Sequence, residues 1–178
     1  MIGFLRLIGA LNAAVWLGGA VFFTIPARSA LYSNEMSRLL QPKYFPYYST
    51  AIEHIQAAGY YSFVMTCAVI AFLHVLGEWL YFGRPSRKVS FTVVSGLLFL
   101  ALIGGKIVQP NLSRLHTERY SAALSPADRA AADGSFRRWR MASEILNILI
   151  IGGVAVHLWR VANPSDNTRF ISSVKFRG

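Results

Sequence analysis

Residues 59–82 decide the fold class of this chain. They read GYYSFVMTCAVIAFLHVLGEWLYF and contain one acidic residue, Glu78, and no lysine or arginine. A helix needs about 20 apolar residues to cross the hydrocarbon core of a bilayer. A helix also pairs its own backbone polar groups, which an open strand in lipid cannot do. The segment is therefore predicted to be a transmembrane helix.

Three further segments reach the same length and apolarity, at residues 3–25, 89–109 and 143–161. Pro26 and Pro110 are expected to end the first and third spans, because an interior proline lacks a donor and clashes with the preceding turn. The predicted fold class is all-α, an integral membrane four-helix bundle without β structure.

The composition agrees with a membrane protein. Of the 178 residues, 54% are hydrophobic and only 15% are charged, which is too apolar for an ordinary soluble domain. The net charge of +10 comes from lysines and arginines in short segments beside the apolar ones, as the positive-inside rule describes. The lipid bilayer, and no nucleic acid, is the expected partner. A single cysteine, Cys67, excludes an intramolecular disulfide.

The positive-inside rule also predicts the orientation. Residues 83–88 place three cations in a very short turn between the second and third spans, which favours a cytoplasmic position. With four spans, both termini lie on the same side. Residues 1–162 are predicted to be the membrane domain and residues 163–178 a basic cytoplasmic tail, in an integral protein of a bacterial inner (plasma) membrane.

Two long loops are expected on the opposite side. The first, residues 26–58, contains an aromatic cluster at positions 44–48 that should lie along the membrane surface. The second contains Ser125, Pro126 and Asp128, the pattern of a helix N-terminus. A short extramembrane helix is predicted to start there and to continue towards the fourth span.

Ionisable groups inside the spans are costly and need partners. Arg6 with Glu78, and Lys106 with Glu144, are predicted to form structural ion pairs that fix neighbouring helices. The alternative is that Lys106, Glu144 and Glu53 serve an oligomeric transporter of a small solute or ion.

His74 and His157 lie on different spans at depths that agree within roughly 5 Å, counting about 1.5 Å per residue. They are candidate axial ligands of one haem or other tetrapyrrole. The alternative is that Glu78, one turn after His74, only orients its ring. No HxxxH or HExxH spacing occurs, so no metal site and no catalytic residue is assigned.

Small and amide residues predict helix packing. Gly9, Ala13 and Gly18 recur along the first span and allow backbones to approach closely. Asn12 and Asn147 are candidates for hydrogen bonds between helices.

The order of these features resembles a known group. Residues 16–23 read WLGGAVFF, residues 42–48 read PKYFPYY, Gln109 precedes Pro110, and residues 136–147 open the fourth span. This pattern is similar to the four-helix membrane family catalogued as domain of unknown function 4149, related to transmembrane protein 205. The resemblance covers about residues 3–160 and implies fold and topology.

The resemblance departs from the family at one position. Family members tend to have a histidine followed by a serine where the fourth span opens. Here Ser143 is present, but Trp139 or Arg140 stands at the histidine position. A function that depends on that histidine is therefore not expected.

Two other membrane groups share features with the first span. Membrane protoporphyrinogen oxidases carry a histidine about two turns before a tryptophan. That position here is Gly9, which argues against this enzyme. Copper-resistance membrane domains have clusters of methionine and histidine. The chain has only four methionines and lacks such clusters, which argues against a copper path.

The sequence thus favours a non-catalytic protein over an enzyme. The leading hypothesis is an accessory or interaction subunit of a larger membrane complex, with other subunits or self-association as partners. The alternatives are a haem- or tetrapyrrole-binding redox protein using His74 and His157, and the oligomeric transporter.

Overall fold

The structure, a computed structural model, describes residues 2–82 and 88–163 and contains no strand among them. The helices are α1 Ile2–Phe22, α2 Arg28–Leu31, α3 Asn34–Leu40, α4 Phe45–Phe82, α5 Lys88–Ile103, α6 Gln109–Tyr120 and α7 Pro126–Ala162. This confirms the all-α prediction. The turn at residues 83–87 and the tail from residue 164 onward, on which the orientation argument rests, lie outside the described residues.

Four continuous helical segments are long and apolar enough to span a membrane. They are Leu7–Leu31, Phe45–Leu80, Lys88–Tyr120 and Pro126–Ala162. They pack as a bundle in which α7 contacts α1, α5 and α6, while α4 contacts α1 and α5. Fully buried apolar side chains pack in the interior of the bundle. Large apolar side chains are exposed on its outer face, as expected for a surface solvated by lipid. The four-helix membrane bundle is confirmed.

The helices extend well beyond the predicted spans. At about 1.5 Å per residue, the 38 residues of α4 measure roughly 57 Å, about twice the ~30 Å hydrocarbon core. In α4 the extra turns precede residue 59, at the end of the helix opposite Phe82. Hydropathy detects the apolar part of a helix, which explains why these turns were predicted as loops. We call the helical part outside the predicted spans, residues 28–58 and 110–142, the head.

The aromatic cluster near Tyr47 belongs to the head. Tyr47 precedes Phe82 by 35 positions on one helix, which corresponds to about 52 Å. The prediction of a loop is wrong at this point, because the segment is the first part of α4. Its position along the membrane surface stays a prediction.

Neither proline ends its helix, contrary to prediction. Pro26 lies within a π-helical turn, Phe23–Ala27, and Pro110 follows another, Gly104–Val108. A π turn adds one residue to the helical ring. We attribute the continuation to this wider turn, which relieves the clash between the proline ring and the preceding carbonyl.

The predicted start of the extramembrane helix is confirmed. The Ser125 hydroxyl accepts a hydrogen bond from the Asp128 amide at 3.2 Å, with Pro126 in the first turn. From there α7 runs without interruption into the membrane span. The head and the bundle are therefore joined by a continuous helix.

Candidate functional site

Four charged side chains meet where the head joins the bundle. Nη2 of Arg28 donates to Oε1 of Glu144 at 2.5 Å, and Nε of Arg28 lies 3.3 Å from Oε1 of Glu53. Arg140 reaches both carboxylates, with Nη2 3.5 Å from Glu53 and Nε 3.7 Å from Glu144. We call Arg28, Glu53, Arg140 and Glu144 the tetrad. Its formal charge is zero, and it joins α2, α4 and α7.

Tyr32 completes one side of the tetrad. Its hydroxyl donates to Oε2 of Glu53 at 2.5 Å, and Cζ of Arg140 lies 5.2 Å from the centre of its ring. Burial raises the pKa of the Tyr32 hydroxyl, and the hydrogen bond to Glu53 raises it further. Tyr32 therefore remains a donor at neutral pH.

The tetrad borders a cavity of about 80 Å³. Asn147 lies one turn beyond Glu144 towards the membrane, and its Oδ1 is buried without a hydrogen-bond partner. Nε2 of His54, on the head side, is also buried without a hydrogen-bond partner among the described residues. The other polar lining comes from Thr24, Gln56, Tyr60, Tyr61, Gln109 and Ser143, and the apolar lining from Phe23, Leu31, Ala57, Leu112 and Phe136.

A histidine and aromatic cluster fills the head above this cavity. The ring of His116 stacks on Tyr47 at 5.0 Å between centroids and lies 5.2 Å from the ring of His54. Cζ of Arg119 stands 4.7 Å from the centre of the Phe136 ring. Across the described residues, no group of three or more His, Cys, Asp or Glu side chains could hold a metal ion.

The side chains of the two candidate haem ligands are both buried in the bundle. His74 packs against the backbone of α1, since a Cβ added at Gly9 would lie 2.6 Å from Cε1 of its ring. Nε2 of His74 is 3.9 Å from Oε1 of Glu78. His157 is only 1% exposed, and its two ring nitrogens have no hydrogen-bond partner among the described residues.

The structure bears on one of the two predicted ion pairs. Glu144 pairs with Arg28 and Arg140, whereas Lys106 is exposed and forms no ion pair with it. The Lys106–Glu144 prediction is therefore wrong. Spacing along the chain cannot tell towards which neighbour a side chain points, and the π turn that contains Lys106 changes the helical phase. The Arg6 side chain lies outside the described residues, so its predicted pair with Glu78 stays a prediction.

The predicted packing residues have distinct environments. Nδ2 of Asn12 donates to the backbone carbonyl of Cys67 at 3.0 Å and so joins α1 to α4. Ala13 is fully buried, and Gly9 receives the His74 ring. Gly18 faces open space, with no atom within 4 Å of an added Cβ. Asn147 lines the cavity instead of bonding to another helix.

Sequence reasoning missed Arg28 and Arg140 as site residues. Arg140 and Glu144 are four positions apart on a predicted helix, a spacing that places both on one face. Arg28 follows Pro26, which was expected to end the helix, so its position was assigned to a loop.

Comparison of the chain with known proteins finds no similar family, protein or structure. No protein-family model matches the chain, and no curated protein or solved structure matches it. The resemblance described from the sequence motifs stays a prediction. The site is defined by the tetrad, the cavity and the histidine and aromatic cluster of the head.

Proposed function

We propose that this integral membrane protein is a non-catalytic accessory or interaction subunit of a larger membrane complex, with self-association as one form of that assembly. The observation that carries the proposal is the tetrad. Its charges neutralise one another and join three helical segments where the head meets the bundle. Such a network supports a defined arrangement of the head on the bundle, as a docking subunit requires.

The surface of the head supports the same proposal. Leu39 is 78% exposed and Tyr48 is 47% exposed, and both lie outside the predicted spans. Lys43 and Arg38 are exposed nearby in sequence. Exposed aromatic and apolar side chains surrounded by polar ones are typical of protein interfaces.

Native mass spectrometry after extraction in mild detergent tests this proposal. We expect a mass well above that of one 19.8 kDa chain. The Lys106→Ala and His157→Ala variants should retain this mass, because neither residue lies on the head surface. A Leu39→Ser/Tyr48→Ser variant should lose it, whereas Leu80→Ala, on the lipid-facing surface, should not. Recovery of the wild type only as a single chain contradicts the proposal.

We also propose that both termini are cytoplasmic, in a bacterial inner (plasma) membrane, as the charge distribution and the family resemblance suggest. Ser125 is exposed at the start of α7 in the head. A Ser125→Cys variant in intact cells should react with a maleimide that cannot cross the membrane. The native Cys67 is 5% exposed and serves as the silent background. Labelling only after cell lysis contradicts the orientation.

A second candidate function is tetrapyrrole binding, with a redox role where the group is haem. The observation in its favour is His157, a buried imidazole with both ring nitrogens unpartnered among the described residues. A neutral imidazole nitrogen is a common axial ligand of haem iron.

A visible absorption spectrum of protein purified from its native membrane separates the two functions. Tetrapyrrole binding predicts a band that His157→Ala removes. His116→Ala is the matched control, because His116 is also buried with unpartnered nitrogens but lies in the head. A colourless wild type excludes the second candidate.

A further inference from the structure

The tetrad presents both signs of charge to one small cavity. Its four side chains all line that cavity. The hydrogen bond between Arg28 and Glu144 uses Nη2 and Oε1. No other described residue donates a hydrogen bond to Oε2 of Glu144 or accepts one from Nη1 of Arg28, so one acceptor and one donor of opposite charge remain for a ligand.

Two buried polar atoms of side chains that line the cavity also need a partner. Oδ1 of Asn147 and Nε2 of His54 are buried and unpartnered within the part of the chain that the structure describes. Unpaired polar groups in protein interiors are rare, and ordered water or a ligand normally pairs with them. The cavity therefore has unpartnered polar atoms in its lining besides the charges of the tetrad.

The volume limits the size of an occupant. A site for one water-sized atom requires about 10–15 Å³ by this measure. The cavity of about 80 Å³ then holds roughly five to eight non-hydrogen atoms. This is the size of a small metabolite.

We propose that the cavity binds a small zwitterion of the α-amino-acid type. Its carboxylate would pair with the guanidinium groups of Arg28 and Arg140, and its ammonium group with the carboxylates of Glu53 and Glu144. A simple anion would meet the two carboxylates, and a simple cation the two guanidinium groups. A zwitterion satisfies both signs at once, and the apolar lining favours a small apolar side chain. This ligand site goes beyond the accessory role.

Isothermal titration calorimetry on the full chain in mild detergent tests the proposal with L-alanine as the probe. We expect saturable binding of L-alanine and no measurable binding of acetate, methylammonium or the larger L-tryptophan. Asn147→Ala removes a buried unpartnered acceptor and should weaken L-alanine binding about two- to tenfold, the effect of one hydrogen bond.

Glu118→Gln is the matched control, because Glu118 pairs with Arg114 on the head surface, away from the cavity. It should bind L-alanine as the wild type does. Thermal unfolding without ligand establishes that each variant is folded. The proposal is overturned if L-alanine does not bind, if acetate binds as tightly, or if Asn147→Ala leaves the affinity unchanged. The oligomeric mass reports separately on the accessory role.

Discussion

The Arg28 guanidinium lies 2.5 Å from the Glu144 carboxylate, measured from Nη2 to Oε1. Arg28 directly follows the π turn that contains Pro26, and Glu144 lies in α7 at the start of the predicted fourth span. A helix that ended at Pro26 would not carry Arg28 along the bundle axis to this position. The bond between these residues therefore depends on the continuation of the first helix through its proline.

The first prediction concerns the strength of this bond. A double-mutant cycle with Arg28→Ala and Glu144→Ala should give a coupling free energy of about 1 kcal/mol, discounted because the two side chains are 28% and 46% exposed. Added salt should reduce the coupling, since both groups contact solvent. Reversible unfolding of the detergent-solubilised chain is the measurement.

The control cycle uses Arg114 and Glu118, an exposed pair of the i,i+4 type in α6. Its coupling should be only about 0.3 kcal/mol. Equal coupling in the two cycles would show that the tetrad contributes no more than an ordinary surface pair.

The second prediction compares neighbouring glycines of α1. An added Cβ at Gly19 would lie 2.5 Å from Cε1 of Phe63, whereas one at Gly18 meets nothing within 4 Å. Gly19→Ala should therefore reduce the free energy of unfolding by about 1–3 kcal/mol, the usual cost of overpacking. Gly18→Ala should cause no loss. Equal thermal stability of the two variants would contradict the described packing of α1 on α4.

The third prediction concerns the contact between Asn12 and the Cys67 carbonyl. Hydrogen bonds between membrane helices contribute about 0.6 kcal/mol on average, so Asn12→Ala should reduce stability by roughly that amount. Asn111→Ala is the control, because Asn111 donates to the Ile107 carbonyl of its own helical segment. A larger loss in Asn111→Ala than in Asn12→Ala would argue against a role for Asn12 in joining the helices.

The apolar spans could be predicted from the sequence because lipid imposes a strong and uniform requirement on every residue that faces it. The start of α7 could also be predicted, since the cap at Ser125 is a local interaction between residues three positions apart. These features depend on local order along the chain.

The tetrad and its cavity could not be predicted in the same way. They depend on the rotational phase of each helix, and two π turns shift that phase in the first and third helical segments. They also depend on polar helical turns outside the membrane, which carry no hydropathy signal. Lys106 and Glu144 illustrate the result, because they lie at similar depth in the sequence pattern and yet do not meet.

The last prediction tests what the buried His157 contributes. An imidazole that is 1% exposed and has no hydrogen-bond partner among the described residues carries an uncompensated desolvation cost. His157→Leu replaces it with an apolar side chain of comparable size and, for the accessory role, should raise the free energy of unfolding by about 1 kcal/mol. His116→Leu should shift stability in the same direction. If His157→Leu alone lowers the stability of the purified protein and removes a visible absorption band, the stability of the wild type comes from a ligand bound at His157, and the tetrapyrrole function replaces the accessory one.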